Sequence, residues 1–193
     1  MRVFIAGATG VIGVRLVPLL VASGHEVAGM TRSAEKTEAL RALGAHAVVC
    51  DVYNDEALRA AVVEWRADAI VHLLTDLPDD LATIEGFIDA NARIRREGTR
   101  NLLTAAQAAG ATRFLAESVA WKLPGDAGEA VDELERKVLD AGGVVLRYGQ
   151  LYGPGTYHES KPPVAPRVHV DEAARRTALA MDEPSSVIEV IET

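Results

Sequence analysis

The chain has 193 residues, the length of one α/β domain. Hydrophobic residues make up 49% of the sequence and charged residues 25%, a composition that is typical of a globular protein. Its formal net charge of −8 excludes the basic face that a nucleic-acid partner requires. A single cysteine, Cys50, excludes an internal disulfide, and the five scattered histidines show no metal-ligand spacing. No signal peptide or membrane-spanning run is recognisable, so we expect a cytoplasmic protein with no metal and no membrane partner.

The N-terminal stretch MRVFIAGATGVIG carries the strongest local signal. Residues 2–6 are an apolar run that predicts a buried parallel strand, and residues 14–22 have apolar positions at helical spacing. Between them stand Gly7, Gly10 and Gly13. A strand, a glycine-rich turn and a helix in this order predict a dinucleotide-binding turn, in which the helix N-terminus receives the phosphates. The alternative is a strand–helix corner that needs glycine only for its shape.

Strands and helices alternate along the rest of the chain. We predict strands at residues 2–6, 26–30, 46–50, 69–74, 112–117 and 144–147. We predict helices at residues 14–22, 34–43, 55–65, 80–109 (interrupted near Gly98) and 129–141. This alternation predicts an α/β fold, a Rossmann-like doubly wound parallel sheet with helices on both faces. Ligands bind such sheets at the switch point, here between strands one and four.

Beyond Tyr152 the character of the sequence changes. Glycine and proline make residues 153–166 a loop, and residues 168–170 predict a short strand. Asp171 is the predicted cap of a helix that runs to about residue 181. Residues 187–191 predict a last strand.

Four segments resemble the short-chain dehydrogenase/reductase superfamily, in its extended and atypical, NAD-dependent epimerase/dehydratase-like branch. They are GATGVIG at 7–13, NARIRREGTRNLL at 91–103, LRYGQLYGPG at 146–155 and VHVDEAA at 168–174. The resemblance implies a single NAD(P)-binding domain, 1–193, in which 153–193 is a reduced substrate region. It also implies a homodimer through long helices whose apolar residues are Ile84, Phe87, Ile88, Leu102 and Leu103.

The resemblance places the cofactor-binding residues in four segments. They are Gly7, Thr9, Gly10, Val11, Ile12 and Gly13 in the turn; Thr31, Arg32 and Ser33 after strand two; Asp51 and Val52 after strand three; and Leu73 and Leu74 at strand four. NAD-binding folds carry an acidic residue after strand two, whereas Arg32 suits a 2′-phosphate, so we expect NADP, with NAD as the alternative. Capping of the next turn is the alternative role for Asp51.

The catalytic residues of the superfamily are incomplete in this sequence. The resemblance requires a Ser or Thr after strand five and a Tyr-x-x-x-Lys pair on the next helix. Ser118 is the nearest hydroxyl and the candidate catalytic donor that would polarise the carbonyl, although Val119 also aligns with the catalytic position. The helix has no Tyr, and aligning Glu135 with the family's Glu puts Ala127 and Val131 at the Tyr and Lys positions.

A literal Tyr-x-x-x-Lys occurs only at residues 157–161, before two prolines that disfavour a helix, so we interpret the spacing as coincidental. Tyr157 or His158 remains a candidate isolated proton donor, while we expect His72 to be a packed core residue. The sequence thus predicts an NADP-dependent oxidoreductase or epimerase/dehydratase-like enzyme acting on a small carbonyl or sugar-like molecule. The alternative is a non-catalytic NADP(H)-binding redox sensor or interaction protein.

Overall fold

Seven parallel strands form the central sheet of the computed structural model, which describes residues 1–78 and 80–192. In chain order the strands of the molecule are β1 Arg2–Ala6, β2 Glu26–Thr31, β3 His46–Val49, β4 Ala69–His72, β5 Arg113–Val119, β6 Val144–Tyr148, β7 Gln150–Tyr152, β8 Arg167–His169 and β9 Ser186–Val190. The sheet order is β3-β2-β1-β4-β5-β6-β9, and β7 and β8 form a separate parallel pair. The predicted doubly wound, Rossmann-like sheet is confirmed.

The helices are α1 Gly13–Ala22, α2 Thr37–Ala42, α3 Asp55–Trp65, α4 Ile88–Arg93, α5 Thr99–Ala109, α6 Gly125–Asp140 and α7 Val170–Leu179. The region predicted as one interrupted helix from residue 80 is 3-10 helical at Leu81–Phe87 and has a π-helical turn at Ile94–Gly98, between α4 and α5. None of the helices in the described ranges has the length and apolar character that crossing a bilayer requires.

Each face of the sheet covers its own hydrophobic core, because successive side chains of a strand point to opposite faces. Val3 and Ile5 of β1 lie in the core that also contains residues of α1 and α7. Phe4 and Ala6 lie in the other core, with residues of α3, α5 and α6. Along β5 the same alternation puts Leu115 in the first core and Phe114 and Ala116 in the second.

The structure corrects several predicted element ends. Strand β4 ends at His72 rather than at residue 74, and β5 extends to Val119. Helix α6 begins at Gly125 rather than at residue 129. A methyl group at Gly128 would stand only 2.2 Å from the carbonyl oxygen of Leu123, so glycine at this position permits close packing of the first turn.

The predicted cap of α7 was wrong. Asp171 lies inside the first turn, and His169 is the N-cap residue, whose Nδ1 accepts a hydrogen bond from the Asp171 amide at 3.3 Å. Asp171 instead pairs with Arg15 of α1, with 2.6 Å between Oδ1 and Nε. Its carboxylate therefore links α7 to α1 in addition to lying near the helix N-terminus.

Much of the segment after residue 153 belongs to the core of the sheet. Val168, Val170, Met181 and Val190 are all buried in the first core, and β9 pairs in register with β6. Residues 153–166 are the longest described stretch of this segment without helix or strand. The predicted reduced substrate region therefore includes elements that complete the fold.

Candidate cofactor and catalytic site

The glycine turn joins β1 to α1 at the carboxyl end of the sheet, and its backbone leaves no room for side chains at two positions. Gly7 has φ +93°, and a Cβ there would stand 2.5 Å from the Leu73 carbonyl oxygen. A Cβ on Gly13 would stand 2.4 Å from the Gly7 carbonyl oxygen. Gly10 is exposed, and its amide donates to the Gly7 carbonyl oxygen at 3.0 Å. The turn thus shows the compactness of a dinucleotide-binding turn.

The N-terminus of α1 suits an anion. Ile12 is the N-cap residue and offers no side-chain cap, and the first turn carries no acidic residue. Free amides and the positive end of the helix dipole favour phosphate there. The Ile12 side chain itself is buried in the first core, so only its backbone can contact a ligand. Thr9 and Val11 are partly buried beside the turn.

Arg32, after β2, faces an acidic residue that the sequence analysis missed. Its Nη2 lies 3.5 Å from Oδ1 of Asp76, in the loop after β4, and the Arg32 side chain is 56% exposed. The Asp76 amide is held by the Asn91 side-chain oxygen at 3.1 Å. Thr31 is buried, and its hydroxyl accepts from the Ser33 amide at 3.2 Å. Thr31 and Ser33 therefore shape the loop that presents Arg32.

Asp51 and Val52 follow β3 in a tight turn. Asp51 Oδ1 accepts from the Tyr53 amide at 3.0 Å, which is the turn-capping role named above as its alternative. Val52 is buried, and its carbonyl oxygen accepts from the Asn101 amide nitrogen at 2.9 Å. Asn101 lies in the family-like segment 91–103, but the sequence could not indicate its contact with Val52, which joins segments 49 residues apart.

His72 ends β4 as a buried, neutral imidazole. Its Nδ1 accepts from the Leu74 amide at 3.2 Å, so its Nε2 carries the proton and donates to the Thr99 hydroxyl at 3.1 Å. Burial and the Arg95 charge lower the pKa of His72 to about 4. Leu73 is buried, and its amide donates to the Ala6 carbonyl oxygen at 2.8 Å. The residues after β4 are thus fixed against β1.

Ser118 is 5% exposed, and its hydroxyl donates to Glu135 Oε1 of α6 at 2.5 Å. Arg147 of β6 binds both oxygens of the same carboxylate, at 2.9 and 2.6 Å. Burial alone would raise the pKa of Glu135, but the hydrogen bonds from Arg147 and Ser118 hold that pKa below its usual value. The Ser118 hydroxyl therefore links β5, α6 and β6 through this ionised carboxylate.

Residues 153–161 lie beside the glycine turn. Arg15 of α1 donates to the carbonyl oxygens of Val11 at 2.8 Å and Pro154 at 2.7 Å, which ties the loop to the turn. The Tyr157 hydroxyl donates to the Pro78 carbonyl oxygen, beyond β4. The residues from Tyr157 to Lys161 form bends and turns, so Tyr157 and Lys161 do not share a helix face. The loop spans from α1 to the segment after β4.

The sequence model of the NAD dependent epimerase/dehydratase family matches residues 3–124, more than half of the chain. The chain belongs to this family. A 3-diazoavenalumate denitrifying reductase from a Streptomyces species is 44% identical over 184 residues, which cover 81% of this chain and 58% of that protein. An uncharacterized sugar epimerase, YhfK of Bacillus subtilis, is 26% identical over 200 residues, which cover 96% of this chain and 90% of that protein.

Solved structures confirm the family's fold. The UDP-glucose 4-epimerase of Thermus thermophilus in complex with NAD superposes with a TM-score of 0.78 at 20% identity, over 99% of this chain and 78% of that one. The chain spans little more than half the length of the Streptomyces reductase. The likeness to the epimerase shows the fold alone, and the activity of this chain is a matter for proposal.

Helix α6 departs from the catalytic pattern that the family resemblance implies. Ala127 is partly buried and Val131 is buried at the positions aligned with Tyr and Lys. Lys137 forms an ion pair on the helix surface with Glu133, 2.7 Å between Nζ and Oε1. No described group of three His, Cys, Asp or Glu side chains could hold a metal ion. The helix thus supplies neither member of the expected pair.

Glu117 and Arg95 are the functional candidates that the sequence analysis missed. Glu117 is half-buried near the end of β5, and Arg95, in the π-helical turn, is 7% exposed. Burial raises the pKa of Glu117 to about 7, although the Arg95 charge opposes the rise. The available sequence signal was an acidic residue directly after the apolar run 114–116 of β5.

The apolar residues predicted to form the dimer interface differ in their exposure. Leu102 is buried in the second core, whereas Phe87 and Ile88 are exposed. Between α4 and α6 the surface is charged, with Arg96 bound to Asp126 at 2.7 Å and to Glu133 at 3.1 Å. The homodimer stays a prediction, and so does the cytoplasmic location.

Proposed function

We propose that the chain is an NADP-dependent oxidoreductase that reduces a small carbonyl or sugar-like molecule at the carboxyl end of β4 and β5. The glycine turn carries this proposal, because Gly7 and Gly13 admit no side chain and the N-terminus of α1 lacks an acidic residue. Membership of the NAD dependent epimerase/dehydratase family supports it. Relatives named as a reductase and a 3-beta-hydroxysteroid dehydrogenase support the class of reaction.

The residues that would hold the cofactor lie along one edge of the sheet. The amides of the turn and of α1 would bind the pyrophosphate, Asp51 and Val52 would flank the adenine, and Leu73 with Leu74 would line the ribose. A bound nicotinamide cofactor supplies the hydride. Buried Leu73 and the partly buried Leu74 limit access of water to this part of the edge.

Arg32 supports NADP over NAD. Its side chain is 56% exposed, and residues 26–31 of β2 end in Thr31 rather than in a carboxylate. A guanidinium suits a 2′-phosphate. Asp76 attenuates this preference, because its carboxylate stands 3.5 Å from Arg32 and would repel an added phosphate. We therefore propose a moderate preference for NADP rather than an absolute one.

Fluorescence titration of NADPH and NADH, with the unmutated protein and with Arg32→Ala, tests the cofactor proposal. We expect NADPH to bind more tightly, and Arg32→Ala to cost NADPH ~1.5–3 kcal/mol while changing NADH little. Arg41→Ala, on the exposed surface of α2, is the matched control. Equal affinities for the two cofactors in the unmutated protein would refute the NADP preference.

Turnover with a panel of carbonyl compounds tests the reaction. NADPH oxidation that depends on a carbonyl compound, followed at 340 nm, would support the oxidoreductase. Tight NADPH binding with no turnover on any member of the panel would instead favour the non-catalytic NADP(H)-binding protein that the sequence left open. If neither NADPH nor NADH bound, both the oxidoreductase and the non-catalytic NADP(H)-binding protein would be refuted.

A further inference from the structure

Glu117 stands where the glycine turn, β4 and β5 come together. In the sheet register Ala6 lies beside His72, and His72 lies beside Ala116. One step further along, Gly7 and Leu73 follow the last residues of β1 and β4, and Glu117 lies beside Leu73, two residues before the end of β5. Because neighbouring strands are about 4.8 Å apart, the backbone of Glu117 lies on the order of 10 Å from the turn.

Glu117 is the charged residue near the end of β5. Leu115, Ala116 and Ser118 are buried, whereas Glu117 is half-buried, so part of this residue is accessible to solvent. Within residues 1–78 and 80–192, its carboxylate has neither a hydrogen bond nor an ion pair within 4.0 Å. The alternation of β5 points it away from Ser118, and therefore away from the Glu135–Arg147 cluster.

Arg95 is the opposite charge that acts on Glu117. It is almost fully buried in the π-helical turn, and no ion pair or hydrogen bond joins its guanidinium to the described residues. The two charges therefore attract each other without contact, since each influences the pKa of the other. π-Helical turns inside α-helices are frequent at functional sites. Arg95 follows Ile94, which lies in the second core, so its charge acts on Glu117 at a distance.

The other titratable groups around Glu117 are fixed in their neutral forms near pH 7. Tyr148 of β6 is buried, its hydroxyl is 2.6 Å from the Thr177 hydroxyl, and burial raises its pKa far above the usual value. His72, beside Ala116 and therefore on the opposite face of the sheet from Glu117, also stays neutral, because its pKa is about 4. Glu117, with a pKa of about 7, is the group of this cluster that can both hold and release a proton at neutral pH.

We propose that Glu117 is the proton donor and acceptor of the site, in place of the tyrosine that α6 lacks, and that Arg95 is a positioning residue that sets its charge. This inference rests on the proposed function. In the reduction of a carbonyl, a C–H bond of the reduced cofactor NADPH would break to supply the hydride for the new C–H bond, and the C=O π electrons would move to oxygen. The Glu117 carboxyl then donates its proton to that oxygen, and the resulting carboxylate regains a proton from water.

The protonation of Glu117 can be measured without turnover, by 13C NMR of protein labelled at the glutamate carboxyl carbon. The resonance absent from Glu117→Gln identifies the group, and we expect its titration midpoint near pH 7. Arg95→Met should raise that midpoint, because the Arg95 charge favours the carboxylate, whereas Arg59→Met, on the exposed surface of α3, should leave it unchanged. A midpoint near 4.5, or one insensitive to Arg95→Met, would overturn the proposal.

The same resonance reports whether Glu117 faces the nicotinamide. The oxidised ring is positively charged and the reduced ring is neutral, so the midpoint should be lower with NADP⁺ than with NADPH. Equal midpoints in two saturated complexes would place Glu117 away from the ring and overturn the proposal. Failure of NADP⁺ and NADPH to bind would refute the proposed function, which the ligand-free titration distinguishes from failure of the Glu117 inference.

Turnover then tests the catalytic role, with the carbonyl compound of the panel that the unmutated protein reduces fastest. Glu117→Gln should lower kcat about 10²–10⁴-fold at pH 7 with the Kd of NADPH unchanged. Glu117→Asp should restore part of the rate, and Arg95→Met should move the limb of the pH profile to higher pH. Glu56→Gln, on the exposed face of α3, is the control. Unchanged kcat in Glu117→Gln would overturn the proposal.

Discussion

A single methyl group added at Gly13 should destabilise the whole fold. The Cβ of Gly13→Ala would lie 2.4 Å from the Gly7 carbonyl oxygen and 2.7 Å from two backbone atoms of Ala8. All three neighbours are backbone, so no side chain can rotate away, and α1 must shift by roughly 1 Å to restore ordinary contact. Overpacking of this kind typically costs ~1–3 kcal/mol. Because Leu16 and Leu20 of α1 are fully buried, we expect the upper end of that range.

Gly10 offers the matched comparison within the same turn. A Cβ there would meet only the Gly7 carbonyl oxygen, at 3.3 Å, and Gly10 is exposed. Gly10→Ala should therefore change the free energy of unfolding by less than ~1 kcal/mol. Gly10→Val should also leave the fold nearly intact but should abolish NADPH binding, because its side chain would occupy the space through which the pyrophosphate approaches the backbone.

Urea denaturation followed by circular dichroism measures the first effect, and NADPH fluorescence titration measures the second. The reasoning predicts that stability separates Gly13→Ala from Gly10→Ala, while affinity separates Gly10→Val from the unmutated protein. If Gly13→Ala unfolded at the same urea concentration as the unmutated protein, the close approach of α1 to the turn would be refuted. If Gly10→Val bound NADPH normally, the turn would have only a structural role, as a corner between β1 and α1, and no role in cofactor binding.

Three further predictions concern single side chains. Asp76→Asn removes the carboxylate beside Arg32 and should tighten NADPH binding ~2–5-fold with little effect on NADH, as fluorescence titration would show; weaker NADPH binding would contradict it. Because the pKa of Glu117 is raised to about 7 in the folded protein, the free energy of unfolding falls as pH rises from 4.5 to 7. In urea denaturation, the free energy of unfolding of Glu117→Gln should therefore exceed that of the unmutated protein by up to ~3 kcal/mol at pH 8 and equal it at pH 4. Equal stability of the two proteins at both pH values would refute the raised pKa. Tyr157→Phe deletes the donor to Pro78 and should cost ~0.5–1.5 kcal/mol of stability with kcat unchanged; a kcat loss at unchanged NADPH affinity would make Tyr157 the proton donor.

The sheet and its glycine turn could be predicted because their signals are local. The apolar run before Gly7, Gly10 and Gly13 predicts the strand, and the glycines predict the tight turn that follows it. The alternation of strands with helices predicts that the strands of the sheet are parallel. Element ends were harder. The sequence placed the start of α6 after Gly128, whereas close packing of Gly128 against Leu123 lets the helix begin at Gly125.

The charged pairs of the site could not be predicted, because each joins segments that only the folded sheet brings together. Arg32 and Asp76 are 44 residues apart and belong to loops after β2 and β4. Ser118 was chosen for its hydroxyl, but the alternation of β5 directs it toward Glu135 of α6. The same alternation directs the Glu117 side chain to the opposite face of the sheet. The positions of Ser118 and Glu117 along β5, rather than their residue types, therefore decide which of the two contacts Glu135.

The pairing of β9 with β6 has a consequence for how the chain is made. Strand β6 cannot lie between two neighbours until residues 186–190 have been synthesised, about 40 residues after β6 itself. Until then the edge of β6 exposes unpaired backbone groups that can pair with another chain. Non-local parallel pairing is also slow to form. Slowing translation before residue 186 should therefore increase aggregation of the nascent chain.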